Sequence, residues 1–184
     1  GLVALAVVLG WAGAVAFRWY RLYATRKKLI ASITSVGSDH LVDVMVPDGM
    51  GSGFHVDFLV LTPRGILVID LRDVAGTVFG GDQMSEWTVM EAPSGRFTFV
   101  NPQSALYDRV AAVRALVHEV PVEGRIVFTR RARFPKGLPK WTLTLDSLLL
   151  EFPPADVTMV ADILARYGPA WEQVKTAVKP SPLG

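Results

Sequence analysis

The 184-residue chain contains no cysteine, and no aspartate or glutamate occurs before Asp39. Lack of cysteine rules out a disulfide framework; it agrees with a cytoplasmic setting without establishing one. The missing carboxylates say more. Gly1 to Phe17 carries no charge of either sign and consists mainly of Leu, Val, Ala, Gly, Trp and Phe, while Arg18, Arg21, Arg26, Lys27 and Lys28 follow at once. An apolar run of about 20 residues spans a bilayer, and Trp19, Tyr20 and Tyr23 extend this one as an interfacial aromatic belt. The stretch therefore predicts one N-terminal transmembrane helix. A cleaved signal peptide ending near Ala14-Val15-Ala16 is the rival, but such peptides carry their positive charge before the apolar core and this chain carries it after. A buried soluble helix is opposed by apolar residues on every face. The first residue is Gly, not Met, so the helix is expected to be longer than the run shown.

Charge asymmetry orients this segment. The positive-inside rule places the N-terminus outside and everything after Arg18 in the cytoplasm, as a single-pass protein of the cell (inner) membrane. Ala6, Gly10, Gly13 and Ala14 recur at spacings of three and four on one helix face, where small residues permit packing against the helices of other membrane-protein subunits. Five of the 19 Lys and Arg lie at positions 18–28, which leaves 14 against all 17 Asp and Glu, a formal charge of −3 downstream. The alkaline pI of about 9.1 thus belongs to the membrane flank, where basic side chains meet anionic lipid. A nucleic-acid partner is not favoured by charge.

The remaining residues, about 150, suffice for one cytoplasmic domain, and no internal repeat or low-complexity tract divides them. The expected organisation is a transmembrane helix with its interfacial flank over 1–23, a juxtamembrane helix or linker over 24–38, a folded domain over 39–152, and C-terminal helices and tail over 153–184. Within the domain, Leu41–Val46 reads as a strand stopped by Pro47-Asp48-Gly49. Met50 to Gly53 leads into a strand and not a helix, so it is a turn and not a phosphate cradle. Gly76–Gly81, Trp87–Met90 and Arg96–Val100 are short strands of a meander. Asn101-Pro102 opens a helix whose buried stripe is Leu106, Val110, Val113 and Val117, Arg125–Thr129 is a buried strand, and Trp141–Leu145 is a final one. Val157–Tyr167 and Trp171–Val178 are read as two helices. The fold class is α/β (α+β), with a mixed sheet flanked by helices.

The organising stretch is a hairpin. Phe58–Leu61 and Ile66–Ile69 flank Thr62-Pro63-Arg64-Gly65, whose Pro and Gly suit a tight reversal. A two-residue or a four-residue loop sets Asp57 opposite Asp70 with Arg72 diagonal to both. A three-residue loop with a Gly65 bulge opposes Asp57 to Leu71 and separates the carboxylates. In the first register the pair can hold a divalent metal beside a cationic group. The same residues also read as ordinary strand-end acids pairing with Arg64, Arg72 or Arg96. His55 reads as a metal ligand or as a hydrogen-bonded structural histidine; His40, Asp39 and Asp43 are too loosely placed to argue for a metal site. Arg125, Arg130, Arg131, Arg133, Lys136 and Lys140, interleaved with Phe128, Phe134 and Trp141, form either a phosphate-backbone grip, a solvated loop or a surface facing anionic lipid.

In order, Val46-Pro47-Asp48-Gly49, Val56-Asp57 before Phe58–Leu61, Pro63-Arg64-Gly65 before Ile66–Asp70, Gly76 to Gly80, Trp87, Asn101-Pro102 with its helix, and Val127-Phe128 followed by Ala132-Arg133-Phe134 resemble the NERD (nuclease-related) domain family, a branch of the restriction-endonuclease-like PD-(D/E)XK fold. The resemblance covers about Leu41 to Leu150. It implies a reaction in which two carboxylates bind Mg²⁺ and the metal with a nearby Lys activates a water for attack on a phosphodiester. Asp57 and Asp70 would be the ligands, with Arg72 where the family has Lys. Arginine stabilises phosphate charge but stays protonated, so the exchange is not conservative. Lys28–Val36 lacks the family's helix Glu, Ala105 and Leu106 stand where a Gln-Asn pair is usual, and His55 replaces a Gln. Two functions follow from the resemblance. One is a degenerate, non-cleaving NERD-like module acting as accessory or scaffold subunit of a membrane complex, with no cofactor expected. The alternative is a Mg²⁺-dependent nuclease acting on DNA or RNA at the cytoplasmic membrane face.

Overall fold

The computed structural model describes residues 1–93 and 95–182; the last two positions of the 153–184 segment lie outside the described residues. The chain divides into two compact units, Gly1–Ile33 and Thr34–Gly184. The first consists of a single helix, α1 (Leu2–Thr34), which carries through the basic flank to its last residue in the second unit. Leu5, Val8, Trp11, Phe17 and Trp19 are all exposed on it. It is long and apolar enough to cross a membrane.

The second unit is built on two mixed sheets. Strands β1 (Asp39–Pro47), β2 (Gly53–Thr62) and β3 (Gly65–Arg72) run antiparallel, and β7 (Val122–Phe128) and β9 (Thr142–Thr144) continue the sheet in parallel beyond β3. The two-residue strand β10 (Lys179–Pro180) pairs with the outer edge of β1. The smaller sheet has the order β6 (Gly95–Val100), β5 (Glu86–Glu91), β4 (Gly76–Phe79), β8 (Ala132–Arg133). Its buried Trp87 stacks at 6.4 Å on Phe128 of β7, which joins the two sheets through one aromatic cluster.

The β2–β3 reversal has two residues, Pro63 and Arg64, because Thr62 pairs with Gly65 and every pair from there to Phe58↔Ile69 keeps that register. Thr62 locks the turn: its hydroxyl donates to the Gly65 carbonyl at 2.9 Å and accepts from the Arg64 N–H at 3.1 Å. Continuing the register by one step sets Asp57 opposite Asp70 on one face. The bulged alternative does not occur.

Helix α2 (Gln103–Arg114) covers the face that carries both aspartates. A Cβ on Gly124 of β7 would meet Val110 and Leu106 of α2, Gly124 pairs with Val68, and Val68 with Leu59. Asp57 and Asp70 lie two residues from Leu59 and Val68, hence on that same face. Asn101 fastens the start of α2 by accepting from the Gln103 N–H at 2.9 Å. The buried Gln103 side chain donates in turn to Asp82 and to the Lys140 carbonyl. Val117, placed by the sequence on the α2 stripe, is buried but lies beyond the end of the helix.

Two other expectations are corrected. Trp141–Leu145 yields only the three-residue β9, because Thr144 and Ser147 form a reciprocal capping box that starts α3 (Leu145–Glu151). The two C-terminal helices are one, α4 (Val160–Ala177), preceded by a short 3₁₀ turn at Val157–Met159. Pro169 lies inside it. The helix runs on because Ile163, Ala170, Trp171 and Val174 form one buried stripe across the proline, and that burial outweighs the lost main-chain bond.

Candidate functional site

β2 and β3 separate just past Phe58↔Ile69, while β3 stays paired with β7 to Arg72↔Phe128. The Asp57 carboxylate fills the opening. Its Oδ2 accepts from the Leu71 main-chain N–H at 2.8 Å, and its Oδ1 lies 3.0 Å from His55 Nε2. The other ring nitrogen, Nδ1, is 2.7 Å from Ser181 Oγ. His55 is therefore a bridge between strand β2 and the segment after β10.

Asp70 faces the same opening. Arg72, on the same side of β3, holds Asp70 Oδ2 through Nη2 at 3.1 Å and Nε at 3.3 Å, and its guanidinium lies 5.7 Å from the centre of the Phe99 ring. Burial pushes the Asp70 carboxyl above the usual carboxylate range and the charge of Asp57 adds to the rise, while Arg72 and Arg109 pull against it. The net direction is upward. Asp57, Asp70, Arg72, His55, Ala105 and Arg109 together line a cavity of about 210 Å³.

Arg109 escaped the sequence reading. Its Nε donates to the His55 carbonyl at 2.8 Å and its Nη1 to the Ala105 carbonyl at 3.0 Å, with its guanidinium 5.4 Å from the Phe54 ring centre. Helical spacing was the available signal, since Arg109 is one turn on from Ala105 and shares its face. Asp43 was also undervalued. The flanking pairs Val42↔Phe58 and Val44↔Val56 set it beside Asp57, and its carboxylate comes within 3.6 Å of His55 Nε2. Asp39 instead accepts from Trp171 Nε1 at 2.8 Å, and His40 is exposed.

Most of the basic-aromatic set has other employment. Phe128 is fully buried and meets Phe134 edge-on at 5.0 Å. Arg125 pairs with Glu151, Arg130 with Asp146, and Arg131 with Asp73. Lys140 lies over Trp141, its ammonium 4.6 Å from the ring centre. Ion pairs account for three of the six cations, those of Arg130 and Arg131 solvated and that of Arg125 largely buried.

The carboxylate pair fits Mg²⁺ poorly. Asp57 Oδ2 accepts from the Leu71 N–H and Asp70 Oδ2 accepts from Arg72, so one oxygen of each carboxylate is taken by a protein donor. In the cavity Asp70 faces the guanidinium groups of Arg72 and Arg109, so its charge is offset before any ion enters. A hard divalent cation needs anionic oxygens that are available to it.

The fold is a mixed α+β domain whose sheet sets a strand aspartate opposite an acid-x-base tripeptide under one helix. The family described as the nuclease-related domain, NERD, matches residues 24–129, more than half of the chain, and the protein belongs to that family. No curated protein and no solved structure matches it.

Proposed function

We propose that this NERD protein is a single-pass membrane module that does not cleave nucleic acid and acts as an accessory or scaffold subunit of a membrane complex, its folded domain on the cytoplasmic side. The observation that carries the reading is the Asp70–Arg72 ion pair at 3.1 Å. It ties up the acid of the acid-x-base tripeptide and puts a permanently charged guanidinium where a compact base is needed. The second cation of the cavity, Arg109, adds to the neutralisation. The small-residue face of α1 supports subunit association through the membrane helix.

The nuclease reading rests on one observation of its own, that Asp57 and Asp70 line a single cavity. A cleavage assay separates the two. Full-length protein in mild detergent, at enzyme excess and with Mg²⁺ or Mn²⁺, is expected to leave single- and double-stranded DNA and RNA intact, and Asp70→Ala is expected to change nothing. Robust cleavage that disappears with Asp70→Ala would replace the scaffold reading by the nuclease one, with Arg72→Lys then raising the rate.

A further inference from the structure

β1 and β2 bring three donor atoms to one point. Asp43 stands opposite Asp57 between the pairs Val42↔Phe58 and Val44↔Val56, and His55 shares the Asp57 face two residues along the strand. His55 Nε2 lies 3.0 Å from Asp57 Oδ1 and 3.6 Å from Asp43 Oδ1, and the three donor atoms all lie within 4.8 Å of one another. Donors at about 2.0–2.2 Å from one ion stand roughly 2.8–3.6 Å apart in octahedral or tetrahedral geometry. Both His55 separations fall in that range.

Two further contacts aim the donors. Ser181 Oγ meets His55 Nδ1 at 2.7 Å, the outer-shell partner that leaves Nε2 to a metal and fixes the ring. Leu71 N–H takes Asp57 Oδ2 at 2.8 Å, which turns Oδ1 toward His55. The ring and the two carboxylates are each about a quarter exposed, so water can complete the coordination.

We propose that Asp43, His55 and Asp57 form a binding site for a divalent transition metal, Zn²⁺ in preference to Mg²⁺, displaced one strand from the carboxylate pair that the family resemblance implies. An imidazole nitrogen suits Zn²⁺, whereas Mg²⁺ takes oxygen ligands and keeps its waters. Two carboxylates and a neutral imidazole cancel the ion's charge. Ligands from β1 and β2, with Ser181 behind the ring, give the metal a structural role: it clamps the sheet edge to the C-terminal segment. The site stands whether or not the domain cleaves.

Thermal unfolding and titration calorimetry of the full chain, stripped of metal in mild detergent, test this. Zn²⁺ is expected to bind one per chain and to raise Tm by several degrees, with Mg²⁺ at the same concentration leaving it unmoved. Asp43→Asn, which keeps a positive φ that Asn tolerates, and His55→Ala should each weaken Zn²⁺ binding at least roughly 100-fold, and Ser181→Ala about 10-fold. Asp70→Asn should retain it. Equal shifts with Mg²⁺, absence of Zn²⁺ binding, binding indifferent to Asp43→Asn, or binding lost with Asp70→Asn would each overturn the assignment. Cleavage measured on the same samples decides the scaffold reading separately, because the metal readout is calorimetric.

Discussion

Asp70 and Arg72, two residues apart on one side of β3, close an ion pair at 3.1 Å over a strand that is otherwise apolar. Alternation puts the two side chains on one face once the strand forms, and the arginine fork reaches back to the carboxylate through Nε and Nη2. A lysine at the base position of an acid-x-base tripeptide carries a compact point charge on a flexible stem and makes no planar fork to the acid. With arginine, the planar fork stays on the carboxylate.

The buried acid sets a pH dependence. Burial raises the Asp70 carboxyl above its ordinary value despite Arg72, so the folded state holds this proton more tightly than the unfolded chain does. Its contribution to stability is fully present below the ordinary carboxylate range and is lost as pH rises through the raised folded value. Asp70→Asn removes the effect. The Tm of this variant relative to wild type should therefore rise between about pH 3.5 and pH 7, as read by parallel thermal melts; a flat or falling difference would contradict the shift.

Asp39 should behave in the opposite sense. Burial pushes its carboxyl up, but the hydrogen bonds from Trp171 and the His40 main-chain N–H, with the charge of Lys175, outweigh this and hold it below its ordinary value. That stability is present above the unfolded-state value and is lost as pH falls through the folded one. Trp171→Phe keeps most of the buried ring and deletes the donor. The part of the loss due to the hydrogen bond is about 1 kcal/mol at pH 7, since the acceptor is half in water. That part should shrink on acidification through the carboxylate range in urea titrations, while the cavity left by the smaller ring costs the same at every pH.

Gly65 carries the junction between the hairpin and the parallel strand. Its φ is 115°, and a Cβ there would come within 2.3 Å of the Pro121 carbonyl oxygen. That oxygen is the acceptor for the Ile66 N–H at 3.0 Å, where β3 begins to pair with β7. Gly65→Ala should cost at least about 1–3 kcal/mol from backbone conformation alone, with the clash added. Chemical denaturation against wild type measures it, and a change under 0.5 kcal/mol would sink the argument.

The central hairpin was legible because two apolar runs and a Pro-x-Gly turn leave few registers, and the turn residues between the other apolar runs marked most of the remaining strands and helices. What stayed hidden depended on distant pairing. Asp43 reaches His55 only because β1 and β2 share a register across the Pro47–Gly53 loop, and nothing local in Leu41–Val46 reveals it. Ser181 reaches the same histidine through β10, a two-residue strand with no periodicity to read. Pro169 misled in the other direction, since a local breaker was overridden by a buried stripe on both sides of it.

The last expectation concerns α1. Its first 16 helical residues are uncharged and the basic flank begins at Arg18, so insertion is favoured by the apolar span and oriented by the charges behind it. Alkaline carbonate should leave the protein in the membrane pellet. Leu9→Arg, which puts a charge near the middle of the run, adds about 2.5–3.5 kcal/mol to insertion and should move a measurable fraction to the supernatant. Protease added to intact cells should spare residues beyond Arg26, and added to inverted vesicles should remove them. Release of wild type by carbonate would argue against the anchor, while digestion in intact cells would reverse the orientation and keep the span.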